Sequence, residues 1–126
     1  MVMGRGSAKQ VMVVGIAILC IMAMTHPTLA AVYNVGGSTG WSYNAFSWPN
    51  GKTLRAGDVL VFKYNKSQHN VASVGQSGYN RCTISKRTKV YRSGSDKFKL
   101  KKGINYFICA VPGHCKAGMK IAIKAL

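Results

Sequence analysis

The chain predicts an all-β domain, an antiparallel sandwich or barrel, and three observations point to it. Apolar residues come either in strict alternation, as in Lys97–Lys101 and Met119–Lys124, or in short unbroken runs such as Val59–Phe62. Turn signals separate these segments at short intervals: Gly36-Gly37 and Gly40, Pro49-Asn50-Gly51, Arg55-Ala56-Gly57-Asp58, Gly75–Gly78 and Gly103. After residue 30, no apolar pattern of helical period extends beyond a single turn.

The 126 residues allow one domain, and the first thirty read as separate from it. Arg5 and Lys9 supply a positive start, and Val11–Met24 is an apolar run interrupted by Gly15 and Cys20. That run spans 14 residues, short of the roughly 20 needed to cross a bilayer. Thr28-Leu29-Ala30 closes it with small residues flanking a larger one. A signal peptide over 1–30, removed after Ala30, is therefore expected, with a mature domain over 31–126 in the extracellular space. A retained anchor is the alternative. Cys20 and His26 leave with the leader.

Charge is the next constraint. The whole chain carries 18 Lys and Arg against 2 acidic residues, a formal net charge of +16. Setting aside Arg5 and Lys9 leaves 16 basic residues against Asp58 and Asp96, about +14. In an exported protein such a balance suits acidic polysaccharide, anionic membrane surfaces or acidic proteins. Nucleic acid is an intracellular partner and is not expected. Two carboxylates also leave little material for general acid–base catalysis.

The strands follow in order. Ala31–Val35 is β-prone and stops at Gly36-Gly37. Trp41–Asn50 is an aromatic-rich loop, whose Trp41, Tyr43, Phe46 and Trp48 are expected to pack rather than to bind a ligand. Val59–Tyr64 opens with the unbroken apolar run Val59–Phe62, as an interior strand would. His69–Val74 follows, then the Gly75–Gly78 turn and Tyr79–Cys82. In Lys97–Lys101 three lysines share one face while Phe98 and Leu100 take the other. Ile104–Ile108 leads into Cys109, and Met119, Ile121 and Ile123 alternate with Lys120, Ala122 and Lys124 in a half-buried closing strand. Asn65-Lys66-Ser67 matches an N-glycosylation acceptor.

The chemistry concentrates in Cys109–Met119. Cys109, His114 and Met119 stand five residues apart in a loop shaped by Pro112, Gly113 and Gly118. Thiolate, imidazole and thioether are donors that copper accepts, and one more histidine would complete a His2Cys set with a weak axial Met. His69 is the remaining histidine of the mature segment. Cysteine arithmetic agrees: without Cys20, three cysteines remain, an odd number for an oxidising compartment. Cys109 has His and Met at matched intervals after it, so the pairing left is Cys82–Cys115. The competing assignment is a structural Cys109–Cys115 loop with no metal. Asn70, next to His69, is placed to bond the Cys109 sulfur through its backbone N–H and to tie the two ligand segments through its side chain.

His69-Asn70-Val71, Tyr106–Cys109, Pro112–Cys115 and Gly118–Ile121 together resemble the phytocyanins, the plant branch of the cupredoxins. The likeness extends to Val35-Gly36-Gly37 and Ser47-Trp48-Pro49. It implies a cupredoxin-like Greek-key barrel or sandwich of eight strands, with one type 1 copper ion near one end. It implies His69, Cys109, His114 and Met119 as copper ligands, His114 near the surface, and a Cys82–Cys115 disulfide. Met at 119, where stellacyanins carry Gln, and a chain ending seven residues later, with neither stalk nor lipid-anchor tail, resemble the free, secreted members of the family.

The function expected is single-electron transfer by a monomeric extracellular protein of the apoplast or cell wall, and not enzymatic turnover. Four protein ligands leave no open position for substrate, unlike a catalytic metal site. The redox partner is unspecified. Two rivals stand beside this: a basic cell-wall binding or signalling protein in which copper is structural, and a small basic defence or lectin-like protein whose loop holds no metal. Zinc would accept Cys109, His69 and His114, but a thioether at 119 favours copper.

Overall fold

The computed structural model describes residues 29–126. The signal-peptide segment thus lies outside the described residues apart from Leu29 and Ala30. Seven strands form two sheets: β1 (Val32–Asn34), β2 (Val59–Lys63) and β5 (Ser95–Lys99) in the order β1-β2-β5, and β3 (Val71–Val74), β4 (Val90–Tyr91), β6 (Gly103–Ile108) and β7 (Lys120–Ala125) in the order β4-β3-β6-β7. The resemblance implied eight strands; beyond the seven, Leu54 makes an isolated parallel bridge to Ala125.

The all-β expectation holds, with two differences. β1 and β2 pair in parallel, with Val32 opposite Val59, while the other pairings between the seven strands are antiparallel. The long Val35–Asp58 excursion makes this possible, because parallel neighbours need a crossover of a dozen or more residues. The second difference is α1, a short helix at Gln76–Arg81 where a turn was expected. It is too brief to display a helical period. Gly78 sits inside it because a Cβ there would meet the Thr83 carbonyl at 2.8 Å and the Val74 Cβ at 3.0 Å.

The core lies between the sheets. Phe62 of β2, Phe98 of β5 and Phe107 of β6 meet with ring centroids 4.9–5.4 Å apart. Trp41 packs edge-on to Phe62 at 5.1 Å, so this aromatic of the Trp41–Asn50 loop is core, as expected. Each such pair contributes about 0.5–1.5 kcal/mol beyond the area it buries. The alternation read in Lys97–Lys101 is present: the three lysines are exposed, Phe98 is half-buried and Leu100 is buried. Met119, Ile121 and Ile123 face the same interior. Both carboxylates of the chain are also buried, Asp58 at 5% and Asp96 at 7% exposure. The solvent-facing surface is consequently left to the basic residues.

Candidate metal centre

Strand order brings the chemistry-bearing residues to one end of the four-stranded sheet. β3 and β7 flank β6 antiparallel to it, so the start of β3, the end of β6 and the start of β7 coincide. His69 and Asn70 precede β3, Cys109 follows β6, and Met119 precedes β7. The register carries this through: Ala72 faces Ile108, and Ile108 faces Lys120. One residue further, the Cys109 N–H donates to the Met119 carbonyl at 3.0 Å.

The loop between them is folded by its own backbone. His114 N–H donates to Val111, Ala117 N–H to Gly113, Gly118 N–H to Cys115 and Met119 N–H to His114, at 2.9–3.1 Å. Gly113 and Gly118 have φ of 82° and 108°, in the region that side chains other than glycine's rarely enter. These turns direct His114 back over Cys109. Next to it, Cys115 is bridged to Cys82 at the end of α1, with Cα atoms 5.6 Å apart and a sequence separation of 33. Chain entropy credits a loop of that length with roughly 3–4 kcal/mol. Among the described residues Cys109 is the free thiol, and it is fully buried.

The donor atoms of His69, Cys109 and His114 all lie within 4.8 Å of one another. His69 Nδ1 and His114 Nδ1 are 3.1 Å apart, and Cys109 Sγ is 3.6 Å from His114 Nδ1. With the third edge no longer than 4.8 Å, the point equidistant from the three donors lies roughly 2–2.4 Å from each, the range of metal–imidazole and metal–thiolate bonds. The three donors fit a metal ion. Met119 is fully buried and tied by backbone to both Cys109 and His114. Burial, together with the neighbouring His114, holds the His69 pKa below its usual value. Both causes favour the neutral ring, the form in which its nitrogen lone pair is available.

Around this set the polar contacts are specific. Asn70 is 7% exposed. Its side-chain Oδ1 accepts the Ala110 N–H at 2.6 Å, and its carbonyl accepts the Trp41 indole N–H at 2.9 Å. The expected tie between ligand segments is thus present, whereas the expected bond from the Asn70 N–H to the Cys109 sulfur is absent among the described residues. The His69 N–H donates to the Asn65 carbonyl at 3.0 Å, which fixes where the strand begins. Lys120 lies over the Tyr79 ring at 4.3 Å and donates to the Tyr79 carbonyl at 3.0 Å, clamping α1 to the residue after Met119.

Tyr43 was expected among the packing aromatics and is instead part of this site. Its ring lies 5.8 Å from that of His69 and 5.4 Å from that of His114, while it remains 37% exposed. Nothing in the local sequence distinguishes it from Phe46, which is 60% exposed. The Trp41–Asn50 loop reaches the site by tertiary packing, with Gly118 close beneath the Tyr43 carbonyl. His114 is half-exposed, whereas Cys109 and Met119 are sealed. The arrangement thus presents an imidazole and a phenol ring to solvent and hides its sulfurs.

Comparison with known proteins agrees with this geometry. Residues 38–119 match the plastocyanin-like domain. A chemocyanin of Lilium longiflorum is 48% identical over 125 residues, covering 99% of this chain and 99% of its own. Two solved structures cover 76% of this chain and 100% of theirs: cucumber basic protein, a blue copper protein, at 58% identity and TM-score 0.73, and spinach plantacyanin at 53% and 0.67. The chain belongs to the plastocyanin-like domain family and, within it, to the phytocyanins.

Proposed function

We propose that this protein binds one copper ion, which His69, Cys109, His114 and Met119 would hold, and carries single electrons. The observation that supports this most directly is the His–Cys–His donor triangle, closed by two antiparallel pairings and a bridged loop. Copper bound there supplies a one-electron couple between Cu(I) and Cu(II). The residues do the rest. Cys109 would provide a buried sulfur donor, His69 and His114 would provide imidazole nitrogens, and the Asn70–Ala110 bond holds the His69 and Cys109 segments in register. A site fixed by so many backbone bonds keeps its shape in both oxidation states. Half-exposed His114 and Tyr43 offer the route by which an electron reaches a partner. The visible spectrum of the oxidised, copper-loaded protein tests the assignment: an intense blue charge-transfer band is expected, and a colourless protein would reject it.

Export to the extracellular space as a free monomer is part of this proposal. It is supported by the signal-peptide pattern of 1–30, and, among the described residues, no helix is long and apolar enough to cross a membrane. An acidic cell-wall polysaccharide or acidic protein is the proposed partner class. Both carboxylates of the chain are buried, so its cations meet no acidic side chain at the surface. The same observation favours a second reading, in which binding to polyanions is the selected role and copper is structural. Binding that survives copper removal unchanged would support that second reading.

A further inference from the structure

At the opposite end of β7 from Met119, the turn Arg55–Asp58 gathers both ends of the domain. Ala56 N–H donates to the Leu126 carbonyl at 2.8 Å, and Asp58 N–H to the Arg55 carbonyl at 3.0 Å. Asp58 is 5% exposed. One carboxylate oxygen accepts the Arg55 N–H at 2.9 Å and the other accepts the Ala31 N–H at 3.0 Å. Among the described residues no side-chain cation hydrogen-bonds to it. The partners these bonds give its two oxygens are neutral backbone amides, one on each.

The residue it holds is the one that leader removal would make the first. Hydrolysis of the Ala30–Ala31 peptide bond adds water across it, with hydroxyl going to the Ala30 carbonyl and hydrogen to the Ala31 nitrogen. At neutral pH that nitrogen is mostly an α-ammonium, since such groups have pKa values of about 7.7–8. Ala31 cannot drift from Asp58, because its carbonyl accepts the Val59 N–H at 2.9 Å and Val32 pairs with Val59. Leu29 and Ala30 line the same recess as Asp58, Arg55 and Lys99, and Leu29 is 90% exposed, so their loss removes little packing.

We propose that cleavage by a signal peptidase after Ala30 completes the fold, placing the new Ala31 α-ammonium on the buried Asp58 carboxylate as an ion pair that the precursor lacks. Asp58 is then a receptor for the processed terminus. The pair lies at the far end of a six-residue strand from the metal centre, a separation of roughly 20 Å. It acts on stability and leaves the copper ligands alone.

The test uses protein secreted from a eukaryotic host expressing the full precursor, loaded with copper. Intact mass should place the first residue at Ala31. Selective acetylation of that α-amine keeps the N–H but removes the charge, which restores the precursor's situation. It should lower the folding equilibrium constant about tenfold in urea titrations, with the blue band unmoved. Asp58→Asn should cost a similar factor, and acetylating that variant should add little more. A start at another residue, an acetylated protein as stable as the free one, or fully additive losses would each overturn the proposal. Should Asp58→Asn fail to be secreted, the acetylation result alone decides.

Discussion

The side-chain oxygen of Asn70 lies 2.6 Å from the Ala110 nitrogen and accepts its N–H, bonding the residue after His69 to the residue after Cys109. The β3–β6 register would place those residues opposite one another, two positions beyond the Ala72–Ile108 pair. A side chain therefore continues the ladder at the point where the strands part to make room for the metal donors. Asn70→Ala leaves the Ala110 N–H without this partner. The expected result is a loss of about 1–2 kcal/mol in urea denaturation, with a shifted charge-transfer band. An unchanged band would mean that the loop's own backbone bonds suffice to hold Cys109.

The two cysteines of the loop should separate cleanly by colour. Cys109 is free and buried among the donors, whereas Cys115 is bonded to Cys82. Cys109→Ser should abolish the thiolate-to-copper band. Cys115→Ser should lose stability and retain part of the colour. Absorption spectra of the two oxidised variants check this, and the reverse outcome would exchange the roles of ligand and bridge.

Much of this arrangement was legible in the chain because it is local. The five-residue steps from Cys109 to His114 and Met119 sit on one loop, and the odd cysteine count separates bridge from ligand. The alternation in Lys97–Lys101 and Met119–Lys124 shows which faces are buried. What could not be read is set by tertiary packing. Tyr43 reaches the His rings from a distant loop, and the β1–β2 pairing is parallel because of what lies between those strands. α1 is shorter than two turns, so no period betrays it. The Trp41 indole claims the Asn70 carbonyl across 29 residues, which no local pattern foretells.

Tyr64 gives a test by pH. Its hydroxyl donates to the buried Asp96 carboxylate. Burial first, and this bond second, push its pKa from 10.0 up to about 12. The folded value exceeds the unfolded one, so the neutral phenol contributes stability that is full below pH 10.0 and lost as pH rises through about 12. Tyr64→Phe should remove that part of the alkaline loss. Phenolate absorption of the parent protein should include a late-titrating tyrosine that the variant lacks. Identical titrations would disprove the assignment.

Lys97 and Lys99 lie exposed on β5, an edge of its sheet, and Lys101 continues the row. Alternate strand residues stand about 7 Å apart, within a Debye length of roughly 8 Å at physiological salt. They act together on a polyanion, and they also guard the edge against another strand. Retention on an acidic polysaccharide at low salt, falling steeply as salt rises, is expected. Replacing the three lysines by glutamine should weaken it. Retention indifferent to salt, or none at low salt, would leave the row with edge protection alone.

The most discriminating substitution is at Met119. Its side chain is fully buried, and its backbone is bonded to both Cys109 and His114. A thioether is a soft donor and favours Cu(I), whereas an amide oxygen is harder and favours Cu(II), and the axial ligand tunes the potential of such sites. Met119→Gln should therefore lower the reduction potential. The blue band should persist, because His69, Cys109 and His114 still form the donor triangle. For a one-electron couple, each tenfold change in relative affinity for the two states moves the potential by about 59 mV. Voltammetry on the purified variant measures it. A raised or unchanged potential would show that Met119 is not axial, or that the enclosure of Cys109 by Asn70 and its loop governs the couple.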